Sequence, residues 1–265
     1  MNVDGRRVLV TGAAGGIGQA IALALHRRGA TLVLSGRNAD GLESLRTRLG
    51  DRAEVVLADL SEPAGVPTLI DGAGAVDVLV ANAGLPGSGR FLDLEPEQID
   101  RALDVNLRAP MALARGLAPS MVERGVGHLV FISSLNGKVA TGGSSVYAAT
   151  KFGMRGFAFG LREDLRSTGV GATTVFPGFI RDAGMWADGG LDLPPGVGTR
   201  SPEQVAEAVV RGITTGRAEI DVAPLPLRVG GWVAGVAPSA LAAVNRRMGS
   251  ERMADALAAA QRDNR

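Results

Sequence analysis

The sequence predicts an α/β fold built on a doubly wound parallel sheet of seven strands. Short runs that are apolar along their whole length alternate with segments of helical periodicity. The first of these runs ends in a glycine-rich turn, and polar residues follow several of the others. Right-handed crossovers cover both faces of such a sheet, and ligands bind beyond the carboxyl ends of the strands.

Each element is justified by its own run of residues. Strands are predicted at residues 7–11, 31–35, 54–57, 76–81, 128–132, 171–176 and 219–222, which are all short and largely apolar. Helices are predicted at residues 17–28, 42–49, 96–106, 108–124, 146–167 and 202–214. No internal repeat or low-complexity linker interrupts this order. We therefore expect one domain over residues 1–224 and a C-terminal extension over residues 225–265.

Composition excludes several classes of function. The net charge of +1 argues against a general nucleic-acid binder, which needs a basic excess. Cysteine is absent, so disulfides, thiolate metal sites and cysteine nucleophiles are excluded, and we expect no metal. His26 and His128 are the only histidines, which leaves little room for Ser-His-Asp chemistry. The start of the chain lacks the apolar run of a signal peptide, so a cytoplasmic location is expected.

The turn after the first strand predicts a dinucleotide site. It has the spacing TGxxxGxG, and the expected contacts are Gly12, Ala14, Gly16, Ile17 and Gly18. Glycines let the backbone approach a pyrophosphate, and the following helix start supplies N–H donors and the positive end of its dipole. An ordinary glycine-rich turn is the alternative for such a motif on its own.

A tyrosine and a lysine stand four residues apart in the longest predicted helix. Tyr147 is the only tyrosine, and Lys151 is one of two lysines, the other being Lys138. Residues at i and i+4 share a helix face, and a nearby ammonium stabilises a phenolate. We therefore expect Lys151 to lower the pKa of Tyr147 toward the working range of a general acid and base. Alone, such a motif is a surface pair in most proteins.

Other polar or turn residues fall where the predicted strands end. Ser134 closes the fifth strand, 13 residues before Tyr147, and Asn106 follows the helix after the fourth. The remaining candidates for the same pocket are Asp59 and Leu60 after the third strand, Asn82 and Gly84 after the fourth, and Pro177 and Ile180 after the sixth.

Together, the glycine turn, Asn82-Ala83-Gly84, Ser134, Tyr147-x-x-x-Lys151 and Pro177-Gly178 make the chain resemble the short-chain dehydrogenase/reductase superfamily over roughly residues 5–223. The resemblance implies a Rossmann-type fold and an enzyme that exchanges hydride between nicotinamide and a carbonyl or alcohol carbon. It implies that Tyr147 is the general acid and base, that Ser134 rather than Ser133 hydrogen-bonds the reacting oxygen, and that Lys151 holds the nicotinamide ribose. It further implies that Asn106 supports a water in a proton relay.

The same resemblance assigns the cofactor cleft. It implies that Asp59 contacts the adenine and that Asn82 lines the cleft and braces the sheet. NAD-preferring relatives commonly carry Asp where this chain has Gly36, and Arg37 follows with a guanidinium suited to phosphate. We predict a preference for NADP(H) over NAD(H), with a solvated surface arginine as the alternative. Asp182 stands where many relatives have Thr, which leaves open how the nicotinamide amide is held.

Two segments bear on the substrate. Residues 181–200 form a Gly- and Pro-rich insertion, expected to be a lid, with Met185, Trp186, Leu191 and Leu193. In the extension, residues 229–245 carry no charge, but 225–265 have a net charge of +3. This segment suits packing over the substrate pocket or a subunit interface, and a weak membrane contact through residues 225–248 is the alternative. Gly230, Gly231 and Gly235 argue against a long helix there.

These features predict a lipophilic ketone, aldehyde or alcohol as substrate, with Trp232 adding to the apolar lining. One alternative is a 3-oxoacyl thioester reductase of the same superfamily. Another is a cofactor-sensing regulator without enzymatic activity, although such proteins usually lose the tyrosine or the lysine. Sugar epimerases share the motif but normally need a larger substrate domain. We expect a homodimer or homotetramer, as is common among relatives.

Overall fold

A computed structural model describes residues 1–87, 89–183, 198–239 and 243. The described residues contain seven β-strands: β1 Arg7–Thr11, β2 Thr31–Gly36, β3 Ala53–Leu57, β4 Val78–Ala81, β5 Gly127–Ile132, β6 Val170–Pro177 and β7 Glu219–Val222. They also contain eight α-helices: α1 Gly16–His26, α2 Ala39–Leu49, α3 Gly65–Ala73, α4 Pro96–Leu103, α5 Ala109–Glu123, α6 Ser145–Asp164, α7 Pro202–Thr215 and α8 Leu225–Val236.

The strands form one parallel sheet in the order β3-β2-β1-β4-β5-β6-β7. The chain runs outward from β1 in one direction as far as β3 and then returns to start β4 on the other side of β1. Crossovers on either side of this switch point diverge, and a crevice opens beyond the carboxyl ends of β1 and β4. The predicted doubly wound, seven-stranded Rossmann-type fold is confirmed.

Two hydrophobic cores cover the two faces of the sheet. Alternate residues of one strand face opposite sides, so Val8 and Val10 belong to one core and Leu9 to the other. The first core is closed by α1, α2 and α7, and the second by α3, α5 and α6. Because the strands are buried on both faces of the sheet, they are apolar along their whole length.

Two helices lie where the sequence analysis placed none. In α3, Gly65, Leu69 and Ala73 are buried at intervals of four, a narrow stripe that Pro67 and Gly72 obscure in the sequence. In α8, Gly230, Gly231 and Gly235 lie within a 12-residue helix. Gly231 is buried against the side chain of Lys138, and this tertiary contact outweighs the low helix propensity of glycine.

The predicted lid lies mostly outside the described residues. Residues 184–197, which include Met185, Trp186, Leu191 and Leu193, are not described. The two ends of the segment are joined, because the amide of Arg181 donates to the carbonyl of Arg200 at 2.9 Å and Ile180 pairs with Arg200 in a parallel bridge. In the described part of the chain, no helix is both long enough and apolar enough to span a bilayer.

Candidate active site

The turn between β1 and α1 is held in shape by the end of β4. The side-chain amide of Asn82 donates to the carbonyl of Thr11 at 3.0 Å and to that of Gly12 at 3.2 Å. In return, the Thr11 hydroxyl accepts from the backbone amides of Asn82 and Ala83, both at 3.0 Å. Asn82 therefore couples the glycine turn to the centre of the sheet, and Gly84 follows two residues later.

Glycine is required in this turn for two different reasons. Gly12 has a φ of 64° and leaves no room for a Cβ, which would lie 2.9 Å from the Cα of Ala83. At Gly18 a Cβ would overlap the carbonyl oxygen of Gly12, so the first turn of α1 can pack on the loop only without a side chain. Gly16 similarly faces the methyl group of Ala183.

The start of α1 suits an anion. The N-cap residue of this helix is Gly15, which makes no side-chain capping hydrogen bond. The first turn of the helix contains no acidic residue. Ala14 and Ile17 pack against the first core, which fixes the backbone on either side of the turn. The amides of the first turn and the helix dipole therefore point toward the crevice beyond β1 without a negative side chain to neutralise them.

Arg37 and Asp59 lie together beyond β2 and β3. The Arg37 guanidinium is 3.7 Å from a carboxylate oxygen of Asp59, and its side chain is 50% exposed. Burial raises the pKa of Asp59, but hydrogen bonds from Ser61 and the charges of Arg37 and Arg101 leave that pKa below its usual value. Leu60 is half-buried against the second core. The carboxylate is thus held ionised beside a cation with much of its surface in water.

Ser134 begins a single 3₁₀ turn, Leu135–Gly137, directly after β5. Its hydroxyl accepts from the amide of Asn136 at 3.1 Å and lies on the side of the Tyr147 phenol, whose pKa it acts to lower. The preceding residue, Ser133, points the other way, and its hydroxyl donates to the carbonyl of Lys151 at 3.1 Å. The structure thus separates the two serines, with Ser134 toward the tyrosine and Ser133 toward the backbone of α6.

Tyr147 and Lys151 lie on one face of α6, as their spacing requires. The ammonium of Lys151 is 5.5 Å from the centroid of the Tyr147 ring and donates to the carbonyl of Ile132 at 3.0 Å. Lys151 is 3% exposed, whereas Tyr147 is half-buried. Gly87 lies against the backbone of Tyr147, where a Cβ would be 3.1 Å from its amide nitrogen. The loop after β4 therefore covers the start of α6.

The pKa of Tyr147 is shifted upward, whereas the sequence analysis expected a downward shift. Burial raises the pKa of Tyr147 to about 12, and the hydrogen bond with Ser134 only partly offsets this effect. Burial also lowers the pKa of Lys151 to about 8. The expectation that Lys151 lowers the tyrosine pKa was wrong for this chain, because desolvation penalises both charged forms and exceeds the attraction across 5.5 Å. At neutral pH the phenol is therefore protonated.

Asn106 lies in a π-helical turn, Asp104–Arg108, that joins α4 to α5. Its side chain is fully buried, accepts from the amide of Leu85 at 2.7 Å and donates to the carbonyl of Leu85 at 2.9 Å. The side chain thus fixes the loop after β4. Wider turns of this kind often occur at functional sites because they redirect backbone groups.

The end of β6 borders the Ser134 loop. The amide of Gly178, directly after Pro177, donates to the carbonyl of Val222 at 3.0 Å, and a Cβ at Gly178 would lie 3.2 Å from Leu135. Ile180 is buried. Asp182 has a φ of 63° and a side chain that is 76% exposed, 3.5 Å from Arg181. Its carboxylate thus faces solvent in the described structure.

Three residues around the site were given no role from the sequence. The hydroxyl of Thr11 fixes the end of β4 against the glycine turn, and the backbone of Leu85 fixes the loop after β4 to Asn106. The residue types alone do not indicate these roles. Lys138 was noticed only as one of two lysines, yet its ammonium lies 2.6 Å from Asp221. Trp232, expected near the substrate, is 74% exposed on α8.

Comparisons with known proteins show what the chain is similar to. The model of the family described as short chain dehydrogenase matches residues 6–191. A ketoacyl reductase of Nostoc sp., HetN, is 36% identical over 232 residues, which cover 85% of this chain and 81% of that protein.

Two solved structures resemble the fold. A short-chain dehydrogenase from Sphingobium yanoikuyae in complex with NADPH has a TM-score of 0.75 and 30% identity, and the match covers 88% of this chain and 96% of that one. A 3-ketoacyl-(acyl-carrier-protein) reductase from Brucella melitensis, complexed with NADH, has a TM-score of 0.76 and 26% identity, covering 83% and 97%.

Proposed function

The chain belongs to the short chain dehydrogenase family and is an NAD(P)-dependent oxidoreductase, and on this basis we propose that it uses NADP(H) to interconvert a carbonyl and an alcohol on a lipophilic substrate. The observation that carries the proposal is the placement of Ser134, Tyr147 and Lys151. One loop and one helix face bring the three side chains to the carboxyl ends of the strands.

Tyr147 donates the proton when the carbonyl is reduced. Its phenol is protonated at neutral pH, because burial raises its pKa to about 12. The residue is half-buried, so part of its surface is open to a substrate. Ser134 lies beside the phenol, and its single O–H can turn from the phenol to donate to the same substrate oxygen when substrate is bound. The developing negative charge on that oxygen is therefore met by two O–H donors, and alcohol oxidation requires the reverse proton transfer to Tyr147.

Lys151 and Asn106 support this proton transfer. We assign Lys151 to the nicotinamide ribose hydroxyls, since its buried ammonium can donate there while it also donates to Ile132. Asn106 holds the loop after β4 through Leu85. We propose that it also supports a water of a proton relay to Lys151.

The glycine turn and its neighbours fit a nicotinamide dinucleotide, which supplies hydride when bound. The side-chain-free turn at Gly12, Gly16 and Gly18 and the uncapped start of α1 would hold the pyrophosphate. The remaining cofactor contacts that we propose are Ala14, Ile17, Arg37, Asp59, Leu60, Asn82, Gly84, Pro177 and Ile180, together with Tyr147 and Lys151.

The proposed preference for NADP(H) is supported by the surroundings of Arg37. Its guanidinium is half-exposed beyond β2, where a ribose 2′-phosphate would lie. Its ion pair with Asp59 at 3.7 Å leaves N–H donors for a second anion. At Gly36 no acidic side chain is present to repel that phosphate. The NADPH complex of the Sphingobium protein supports this cofactor, and the NADH complex of the Brucella protein represents the alternative.

For the substrate, a 3-oxoacyl thioester is the closest alternative to a free lipophilic ketone. It is supported by the names of two relatives, a ketoacyl reductase and a 3-ketoacyl-(acyl-carrier-protein) reductase. Both substrates need the same proton donor and differ only in the group carried by the carbonyl. A cofactor-sensing regulator would need neither Tyr147 nor Lys151, and this chain has both.

A substrate panel tests the proposal. NADPH oxidation is followed by absorbance with long-chain ketones, with acetoacetyl-coenzyme A, and with small sugars, each with the wild-type chain and Tyr147→Phe. We expect turnover of the ketones or the thioester that the substitution abolishes. Turnover of sugars alone would refute the lipophilic substrate. NADPH binding without turnover of any carbonyl would favour the regulator.

We also propose that residues 1–224 form the catalytic domain and that the extension contacts an anionic membrane surface weakly. Leu225, Val229, Trp232 and Val236 lie at intervals of four, three and four along α8 and are 52–74% exposed. This stripe fits an interfacial helix, and the net charge of +3 over residues 225–265 complements anionic lipid.

Vesicle binding tests this surface. The full chain is sedimented with phosphatidylglycerol vesicles and with phosphatidylcholine vesicles, beside the double variant V229S/W232S. We expect pelleting with the anionic vesicles only, and its loss in the variant. Leu92→Ser is the matched control, because Leu92 is an exposed apolar residue in the 3₁₀ turn Phe91–Asp93. Equal pelleting of all three proteins would dismiss the surface.

Self-association is the remaining part of the proposal. Met111 on α5 and Phe152 and Phe159 on α6 are between 39% and 58% exposed. These two helices cover the same face of the sheet, so their exposed apolar groups suit a second copy of the chain. We propose a homodimer or homotetramer, and light scattering of wild-type chain and Phe159→Ser tests it. A monomeric wild-type chain would refute it.

A further inference from the structure

Lys138 occupies a charged, largely buried cluster that the proposed chemistry does not use. Its side chain is only 11% exposed, and its ammonium lies 2.6 Å from a carboxylate oxygen of Asp221 and 3.1 Å from one of Glu219. The same ammonium lies 4.1 Å from the centroid of the Phe176 ring. Lys138 is therefore bound to both β7 and β6.

This cluster holds the C-terminal end of the loop that carries Ser134. At the start of the loop, the amide of Ser133 donates to the carbonyl of Val175 at 2.9 Å, and the Ser133 hydroxyl donates to the backbone carbonyl of Lys151. At the end of the loop, the amide of Lys138 donates to the carbonyl of Leu135 at 2.8 Å, while its side chain reaches β7. Ser134 thus lies between two fixed points, and its own hydroxyl does not contribute to either.

The site favours lysine over arginine. Gly231 of α8 covers the lysine, and a Cβ there would lie 3.7 Å from the Cβ of Lys138. The other oxygen of Glu219 already accepts from Arg155 at 2.6 Å. A compact ammonium can contact two carboxylates and a ring in this space, whereas a planar guanidinium is wider. In a chain with 28 basic residues, this is one of only two positions that hold lysine.

We infer that Lys138 is a positioning residue that keeps the Ser134 hydroxyl aligned with Tyr147. The inference rests on the proposed function for its effect on turnover, but the alignment itself is a property of the chain alone. Loss of the ammonium would free the end of the loop and leave Asp221 without its closest partner. The Ser134 hydroxyl would then no longer meet the phenol at a fixed distance.

The single tyrosine makes this alignment measurable without substrate. In protein labelled with ¹³C at tyrosine Cζ, one resonance reports Tyr147, and its shift responds to hydrogen bonding of the phenol. Ser134→Ala gives the resonance of the unpaired phenol. We expect Lys138→Met to move the resonance in the same direction. Arg155→Met is the matched control, because it removes the other cation on Glu219, and it should leave the resonance unchanged.

Asp221→Asn provides a second variant if Lys138→Met does not fold, since it weakens the same contact at nearly constant volume. It should move the resonance in the same direction by a smaller amount. A wild-type resonance in whichever of the two variants folds would overturn the inference. Where the wild-type chain turns over a carbonyl, Lys138→Met should lower kcat by about tenfold to a hundredfold with KM for NADPH unchanged. Absence of wild-type turnover would count against the proposed function only.

Discussion

The ammonium of Lys151 lies 5.5 Å from the ring centroid of Tyr147, yet burial rather than mutual attraction dominates the ionisation of both groups. The phenol has a pKa raised to about 12, and the amine has a pKa lowered to about 8. Near neutral pH both groups therefore carry their protons. This is the state that carbonyl reduction needs, because the phenol must give up a proton and the ammonium must donate hydrogen bonds.

The first prediction concerns pH. Because the pKa of Lys151 is about 8, carbonyl reduction should be nearly constant at neutral pH and fall as the pH rises through that value. Tyr147, with a pKa of about 12, stays protonated throughout. The measurement is kcat/KM for NADPH against pH, which reports groups of the free enzyme. A profile that stays flat well above the lysine pKa would contradict this account of Lys151.

Removing Arg37 should weaken NADPH selectively. A hydrogen bond to a charged group contributes about 1.5–3 kcal/mol, so Arg37→Ala should raise KM for NADPH by about tenfold to a hundredfold. KM for NADH should change little. The ion pair of Arg37 with Asp59 is half-exposed, so its loss should hardly affect stability. Arg46→Ala is the control, since Arg46 lies on α2 and pairs with Glu43. Equal effects on both cofactors would refute the assignment.

Gly36 offers a complementary change. A Cβ there would come no closer than 3.8 Å to another atom, Cδ1 of Leu42, so a side chain fits without strain. Gly36→Asp should accept a hydrogen bond from a ribose hydroxyl and repel a 2′-phosphate. We expect kcat/KM to rise for NADH and fall for NADPH. If the preference is unchanged while the variant is folded, the end of β2 does not select the cofactor.

His128 should make the stability of the fold depend on pH. Its Nε2 lies 2.9 Å from the hydroxyl of Thr173, which itself donates to the carbonyl of Arg217 at 2.6 Å. The hydroxyl therefore accepts from Nε2–H. Burial, aided by the charges of the N-terminus and Arg162, lowers its pKa from 6.5 to about 4.

Because the folded pKa is the lower one, the unfolded chain binds a proton first, and stability is lost as the pH falls from the unfolded pKa toward the folded one. Between neutral pH and about pH 5 this single group should cost about 2 kcal/mol in the free energy of unfolding. Urea unfolding of wild-type chain and His128→Gln at both pH values isolates the effect, since glutamine does not titrate. Identical pH dependence in the two proteins would contradict it.

Much of the fold could be predicted, because its strands are buried on both faces and have an apolar signature that needs no knowledge of partners. The ends of β1 and β7 were predicted to the residue. α8 was not predicted, since its three glycines have low helix propensity and the sequence does not reveal that Gly231 packs over Lys138, 93 positions away. Burial, which sets the direction of the Tyr147 pKa, is likewise a property of the assembled fold.

The most direct test of the central claim is the single-turnover rate of carbonyl reduction by Tyr147→Phe in the presence of NADPH. The substitution removes one oxygen atom and leaves Lys151 and the glycine turn intact. We predict a loss of about 10²–10⁴-fold, the usual contribution of a general acid, with the dissociation constant for NADPH nearly unchanged. A variant that retains activity within about tenfold of wild type would show that Tyr147 is not the proton donor.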